Sequence, residues 1–154
     1  MGNSAQLRTW LAISLGAIAG ALCRFYIGSG MVQLLGTAFP YGTMLINVSG
    51  CFAMGFFTAL AARTINIHPD VRLLVTTGFL GSYTTFSSYE LDTEKLLQRS
   101  LEQALCYWLA SACLGWLALQ LGTRLAELLP ARPDLTQINQ SNDTNRESID
   151  ELNQ

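Results

Sequence analysis

The sequence is poor in charge, in histidine and in buried acid. Only 13% of its 154 residues are charged, against about 25% in soluble domains. It holds one histidine, His68, which argues against a histidine-built metal centre or a His-dependent catalytic triad. There is no basic patch to neutralise phosphates, so nucleic acid is not an expected partner. The four cysteines, Cys23, Cys51, Cys106 and Cys113, form no C-x-x-C and all lie in apolar segments. They read as small hydrophobes and say little about redox compartment. Residues 7–62 contain no Asp or Glu at all. No internal repeat is visible.

What the chain has in quantity is apolar side chains, 50% of the total. Residues 1–129 hold seven of the nine basic and six of the eleven acidic groups, whereas residues 130–154 hold two and five. The division predicts a membrane domain over 1–129 and a polar, acidic, disordered tail over 130–154.

A transmembrane helix needs about 20 mostly apolar residues, and four segments are read as spans. The first runs from Leu7 to Ser29 with one charge, Arg24. The second runs from Tyr41, after Pro40, to Ala62. The third begins near Val71, after the loop holding His68 and Pro69. The fourth runs from Ala104 to Leu125. Arg24 interrupts the first segment and no polar mature domain follows, which argues against a cleaved leader. Short loops leave no room for a soluble catalytic domain, so the chain is not expected to be an enzyme. Four helices are too thin to enclose a wide aqueous pore, so a homo-oligomer is expected. Arg8, Arg63, Arg72, Arg124 and Arg132 lie near span ends on one side, and Lys95 and Arg99 on the other. That bias favours cytoplasmic termini.

Polar groups inside spans mark partners or pathways. Thr43, Asn47 and Gly50 fall on one face of the second span at i, i+4 and i+7. They read either as helix–helix hydrogen-bonding groups or as donors along a polar path. In the third span Gly78, Gly81 and Ser82-Tyr83-Thr84-Thr85 stand where mid-membrane should be, and Ser87-x-x-Glu90 matches a capping box. This predicts a broken helix: one half from Val71 to Leu80, an unwound Gly81–Thr84, then a second half to Arg99. A helix kinked by Ser and Thr back-bonding is the plainer alternative. Carbonyls freed at such a break suit a cation. Phe86 and Tyr89 share a face, either as core or with their electropositive ring edges turned toward an anion. Arg24 is placed to snorkel or to line a vestibule. Glu90, Asp92, Glu94 and Lys95 read as a wet helix end. Gly16-x-x-x-Gly20 permits close packing, and Tyr107, Ser111 and Gly115 form a further stripe at i, i+4 and i+8.

Taken together, Arg24-Phe25-Tyr26, the Gly42-Thr43-x-x-x-Asn47-x-x-Gly50 run, and Gly78-x-x-Gly81-x-x-Thr84-Thr85-Phe86-Ser87 resemble the Fluc fluoride channels, also called CrcB proteins, over residues 12–126. The resemblance implies an antiparallel, dual-topology homodimer with two fluoride pores at the subunit interface. It implies that Asn47, Phe86, Ser87, Ser88, Thr43 and Ser111 line the pore and that Arg24 lies in the vestibule. It further implies that the backbone carbonyls of Gly81 and Thr84 hold a structural sodium ion. Tyr89 stands where a second phenylalanine is usual and Gly115 where a serine sometimes sits. A paired paralogue could replace the second copy.

The expected function is therefore a passive fluoride-selective channel of a microbial inner or plasma membrane, exporting fluoride that entered as HF. Its partners are fluoride, the lipid bilayer and a second chain. Neutral donors can replace fluoride's water without trapping it. A small proton-coupled multidrug exporter also has four spans, but it needs a carboxylate within a span, and residues 7–62 offer none. An assembly subunit without transport would explain the spans but not the polar cluster at mid-depth.

Overall fold

The computed structural model describes residues 2–63 and 67–129. The tail expected to be disordered lies outside them. The described residues are helical with no strand. The elements are α1 (Gly2–Leu35), α2 (Tyr41–Arg63), α3 (Pro69–Leu73), a π-helical segment (Leu74–Leu80), α4 (Gly81–Tyr83), α5 (Phe86–Leu97) and α6 (Leu101–Leu128). Three helices are long and apolar enough to cross a membrane: Ser4–Leu35, Tyr41–Arg63 and Leu101–Leu128. Their outer faces carry exposed Trp10, Leu15, Phe25, Trp116 and Leu121. An apolar surface of this extent fits lipid or a protein partner rather than water.

α1 is longer than its sequence pattern predicts. Gly28-Ser29-Gly30 reads as a helix end, yet the helix continues to Leu35 and stops at Gly36 (φ 76°). The Gly36 amide donates to the Val32 carbonyl at 2.9 Å, the usual left-handed helix stop. Gly28 serves packing instead. A Cβ on Gly42 of α2 would lie 3.3 Å from the Gly28 Cα, so the two helices touch at these glycines. Arg24 accordingly lies about 16 Å along the axis from the helix end, not the shorter snorkelling distance expected.

Small residues set the remaining contacts. A Cβ on Gly16 would strike the Leu74 carbonyl oxygen, and one on Gly20 the Phe79 carbonyl oxygen. One on Gly78 would come within 2.6 Å of the Ile13 carbonyl oxygen. The Gly16-x-x-x-Gly20 pair therefore seats α1 backbone-to-backbone on the π-segment. α2 and α6 do the same reciprocally: Gly55 faces the Leu119 carbonyl and Gly122 the Phe52 carbonyl. Tyr107, fully buried, anchors a core with Leu96 and Ala104, edge-on to Phe39 at 5.5 Å between ring centroids.

α3 is capped by His68, whose Nδ1 accepts the Asp70 amide at 3.2 Å. Asp70 is in turn held by Arg8 Nη2 at 2.9 Å and Thr9 Oγ1 at 3.1 Å, which tie α1 to α3. The helical rod then widens to π geometry at Leu74, where Thr76 Oγ1 donates to the Arg72 carbonyl at 2.8 Å. The backbone differs from the expected unwound Gly81–Thr84. Gly81–Tyr83 are helical, and only Thr84 (ψ 156°) and Thr85 (φ −147°) are extended. The cap of α5 is Thr85, whose Oγ1 accepts the Ser88 amide at 3.2 Å, not the Ser87 of the predicted capping box. α6 starts on a Ser100 cap with Gln103 three residues on, a capping pattern that was readable in the sequence.

Candidate functional site

Two extended residues in a packed helical rod leave backbone groups without helical partners. Such groups are costly away from water unless something satisfies them. Asn47 supplies that at Thr85. Its Nδ2 donates to the Thr85 carbonyl and its Oδ1 accepts the Thr85 amide, both at 2.9 Å. The Thr85 hydroxyl donates to Ser88 Oγ at 3.1 Å and lies 3.3 Å from Ser87 Oγ. Thr85 is the buried polar side chain of the described residues, 8% exposed. The sequence marked it as part of the helix-weakening Ser82–Thr85 run but gave it no site role, because its pairing with Asn47 is a tertiary event.

The predicted common face of α2 is real, and it addresses the break. Thr43 Oγ1 donates to Asp92 Oδ2 at 2.6 Å. Asn47 holds Thr85, and Gly50 leaves the space that the Thr84 methyl fills. Ser49, one face over, shares a hydrogen bond of 2.9 Å with the Tyr83 hydroxyl. Asp92 is not part of a wet helix end. Its side chain is only 19% exposed and pairs with Lys95 at 3.7 Å. Its spacing from Ser88 and the buried Leu96, four residues each way, was the available signal.

Two cavities meet at Thr85. A cleft of about 680 Å³ is lined by Arg24, Thr43, Thr85, Ser88 and Asp92. A second cavity of about 520 Å³ is lined by Asn47, Cys51, Thr84, Thr85, Phe86, Tyr89 and Ser111. Arg24 is half-buried and forms no hydrogen bond or ion pair with the described residues. Ser111 Oγ and the Tyr107 hydroxyl are buried without a hydrogen-bond partner among the described residues, so both remain open to an acceptor. Phe86 and Tyr89 stand 5.9 Å apart at the mouth of the second cavity. Phe86 is 75% exposed, and the Tyr89 hydroxyl donates to the Trp108 carbonyl at 3.2 Å. Of the predicted residues, Ser87 and Gly81 line neither cavity and lie exposed on the surface. The chain thus brings neutral N–H and O–H donors and aromatic rings to two cavities beside the break, with Arg24, Lys95 and Arg99 as the cations of the larger one.

The carbonyls of Gly81 and Thr84 gain a specific meaning here. In a continuous helix their donors would be the amides of Thr85 and Ser88. Those amides go instead to Asn47 Oδ1 and Thr85 Oγ1. Both carbonyl oxygens are thereby released, and hard oxygen donors of this kind fit a monovalent cation such as sodium.

Helices of this length and composition, packed through glycines around a polar interior, define a multi-pass membrane protein. Residues 11–123 match the family model described as CrcB-like protein, Camphor Resistance (CrcB). The chain belongs to the CrcB family. It is 52% identical over 124 residues to the fluoride-specific ion channel FluC of Trichormus variabilis, covering 79% of this chain and 90% of that one. It is 49% identical over 126 residues to the protein of the same name from Synechococcus, covering 81% and 97%. The Synechocystis protein of that name is 46% identical over 126 residues.

Proposed function

We propose that this protein is a passive, fluoride-selective ion channel that lets cytoplasmic fluoride leave the cell. The carrying observation is the set of neutral donors and aromatic rings in two cavities that share Thr85 in their lining, in a chain whose relatives bear the name of fluoride-specific channels. Fluoride is small and strongly hydrated, so a path must offer replacement donors without a deep trap. Asn47, Ser88 and Ser111 offer amide and hydroxyl donors in the two cavities, while the Thr43 hydroxyl is given to Asp92 and Ser87 stands on the exposed face beside them. Phe86 and Tyr89 offer ring edges. Arg24 raises anion concentration at the approach.

The unit is read as residues 1–129, a four-span channel domain, with 130–154 as an appended polar tail. The third span is the α3–π–α4 rod continued by α5, broken near mid-membrane at Thr84–Thr85. The partner is a second copy inserted the opposite way, or a paired paralogue. Exposed Phe86 at a cavity lined also by Met54, Trp108 and Leu119, and exposed Gly81 beside a released carbonyl, support a partner covering that face. At the two-fold axis the Gly81 and Thr84 carbonyls of both chains would hold a structural sodium ion. Thr84 is read as contributing its carbonyl; its hydroxyl donates to the Leu80 carbonyl at 2.9 Å.

Expression of the full chain in bacteria stripped of their own fluoride exporters tests this reading. Growth in acidic fluoride medium, with no change in tolerance to cationic drugs, is expected. Drug tolerance without fluoride tolerance would assign the chain to the exporter class instead.

A further inference from the structure

The larger cleft is more than an approach to the polar route. It lies between the last turns of α1, the 36–40 link, the start of α2 and the outer turns of α5. Its walls carry three cations, Arg24, Lys95 and Arg99, against one carboxylate, Asp92. That carboxylate is already engaged by Thr43 and Lys95. Arg99 reaches only the Ala38 carbonyl, at 3.4 Å. α2, 23 residues long, opens into the same wall at Tyr41 and Gly42 with no acidic residue in its first turn, so its positive dipole end adds to the field. Three cations along the cleft, Arg24 deep in it and Lys95 and Arg99 toward its outer end, against one committed acid leave an excess of positive charge that an anion would neutralise.

The remaining wall decides which anion. Phe25 and Val32 line the cleft from α1 and are 64% and 49% exposed. They continue into the exposed apolar surface of that helix at Leu22 and Tyr26. A soluble oxyanion would use the cations and leave this apolar side wall bare. An amphiphile would use both. The cleft's size is that of a small-molecule site, about 300–1,000 Å³, far larger than fluoride needs.

We propose that this cleft binds the headgroup of an anionic glycerophospholipid. Its phosphate sits at the outer end of the cleft against Lys95 on α5 and Arg99 just past the end of that helix, where the Arg99 guanidinium can grip two oxygens at once. Its first acyl methylenes lie along Phe25 and Val32. Binding stands independently of the channel reading. Its consequence rests on that reading: the lipid phosphate would lower the positive charge at the outer end of the cleft and so set how strongly the approach concentrates fluoride.

Native mass spectrometry of the full chain in neutral detergent, offered phosphatidylglycerol, phosphatidylcholine or inorganic phosphate, tests it. Phosphatidylglycerol should be retained over phosphatidylcholine, and Lys95→Gln with Arg99→Gln should weaken that retention by about thirty-fold. The charge-keeping pair Lys95→Arg with Arg99→Lys should retain it, separating loss of charge from loss of fold. Equal retention of both lipids, or undiminished phosphatidylglycerol on the charge-removed variant, would overturn the proposal. So would displacement of the lipid by equimolar inorganic phosphate, which would assign the cleft to free phosphate. Fluoride efflux by the unmodified chain is read separately, so loss of the channel reading and loss of the lipid site are distinguishable.

Discussion

Asn47 and Thr85 form a two-point bridge in which the side chain of one helix stands in for the missing helical partners of another. Both bonds are 2.9 Å long. The bridge fixes the break in position and leaves one Nδ2–H of Asn47 for the second cavity.

Asn47→Asp removes the donor to the Thr85 carbonyl and sets a carboxylate against that oxygen. Stability should fall by about 1–3 kcal/mol, and fluoride flux by well over tenfold, because a fixed negative charge then stands on the anion's route. Thermal unfolding and an ion-selective electrode read the two effects. Wild-type stability in this variant would remove the bridge from the account.

The two aromatics should part company. Phe86→Ile removes a ring edge and should slow fluoride strongly. Tyr89→Phe keeps the edge and loses only the bond to the Trp108 carbonyl, worth about 1 kcal/mol, so flux should persist. Loss of flux in Tyr89→Phe with Phe86→Ile unaffected would make the hydroxyl the working group.

Backbone-to-backbone seats do not tolerate a methyl group. Gly20→Ala and Gly122→Ala each drive a Cβ into a main-chain oxygen that cannot rotate away. Each should destabilise the fold by about 1–3 kcal/mol. Gly30→Ala, with nothing within 4 Å, is the silent control. Denaturation midpoints in detergent give the comparison, and equal midpoints for all three would contradict the packing described.

Much of this was legible from residue spacing. Thr43, Asn47 and Gly50 do share a face, the third apolar segment is interrupted, and α6 runs through Tyr107, Ser111 and Gly115 with buried side inward. What spacing misplaced was decided by tertiary partners. Gly81 lowers helix propensity, yet the helix persists through it because the rod is packed on α1. The break settles at Thr84–Thr85, where Asn47 is waiting. Asp92 looked solvated beside Glu90 and Glu94 until Thr43 supplied a donor. The π-segment has no sequence signature; it accompanies the close seat of Gly78 on α1.

Chain orientation gives an independent check on the dimer. A single cysteine placed near the C-terminus, in a chain with its four native cysteines replaced, should be labelled from both faces of the membrane. Labelling from one face only would exclude the dual-topology homodimer and require an oppositely inserted paralogue.

The released carbonyls of Gly81 and Thr84 predict a sodium requirement. Reconstitution with a large organic cation in place of sodium should weaken the dimer or silence it, slowly if exchange is slow. Thr84→Ser, which keeps the backbone and the bond to Leu80, should be tolerated. Full activity and an unchanged dimer after thorough sodium removal would dismiss the ion.

The most direct test of the central claim is anion efflux from proteoliposomes holding the purified full chain. With potassium valinomycin to balance charge, fluoride should leave the vesicles rapidly without any proton gradient, while chloride stays inside. Chloride leaving as fast as fluoride, or fluoride leaving only when a proton gradient is imposed, would contradict a passive fluoride-selective channel.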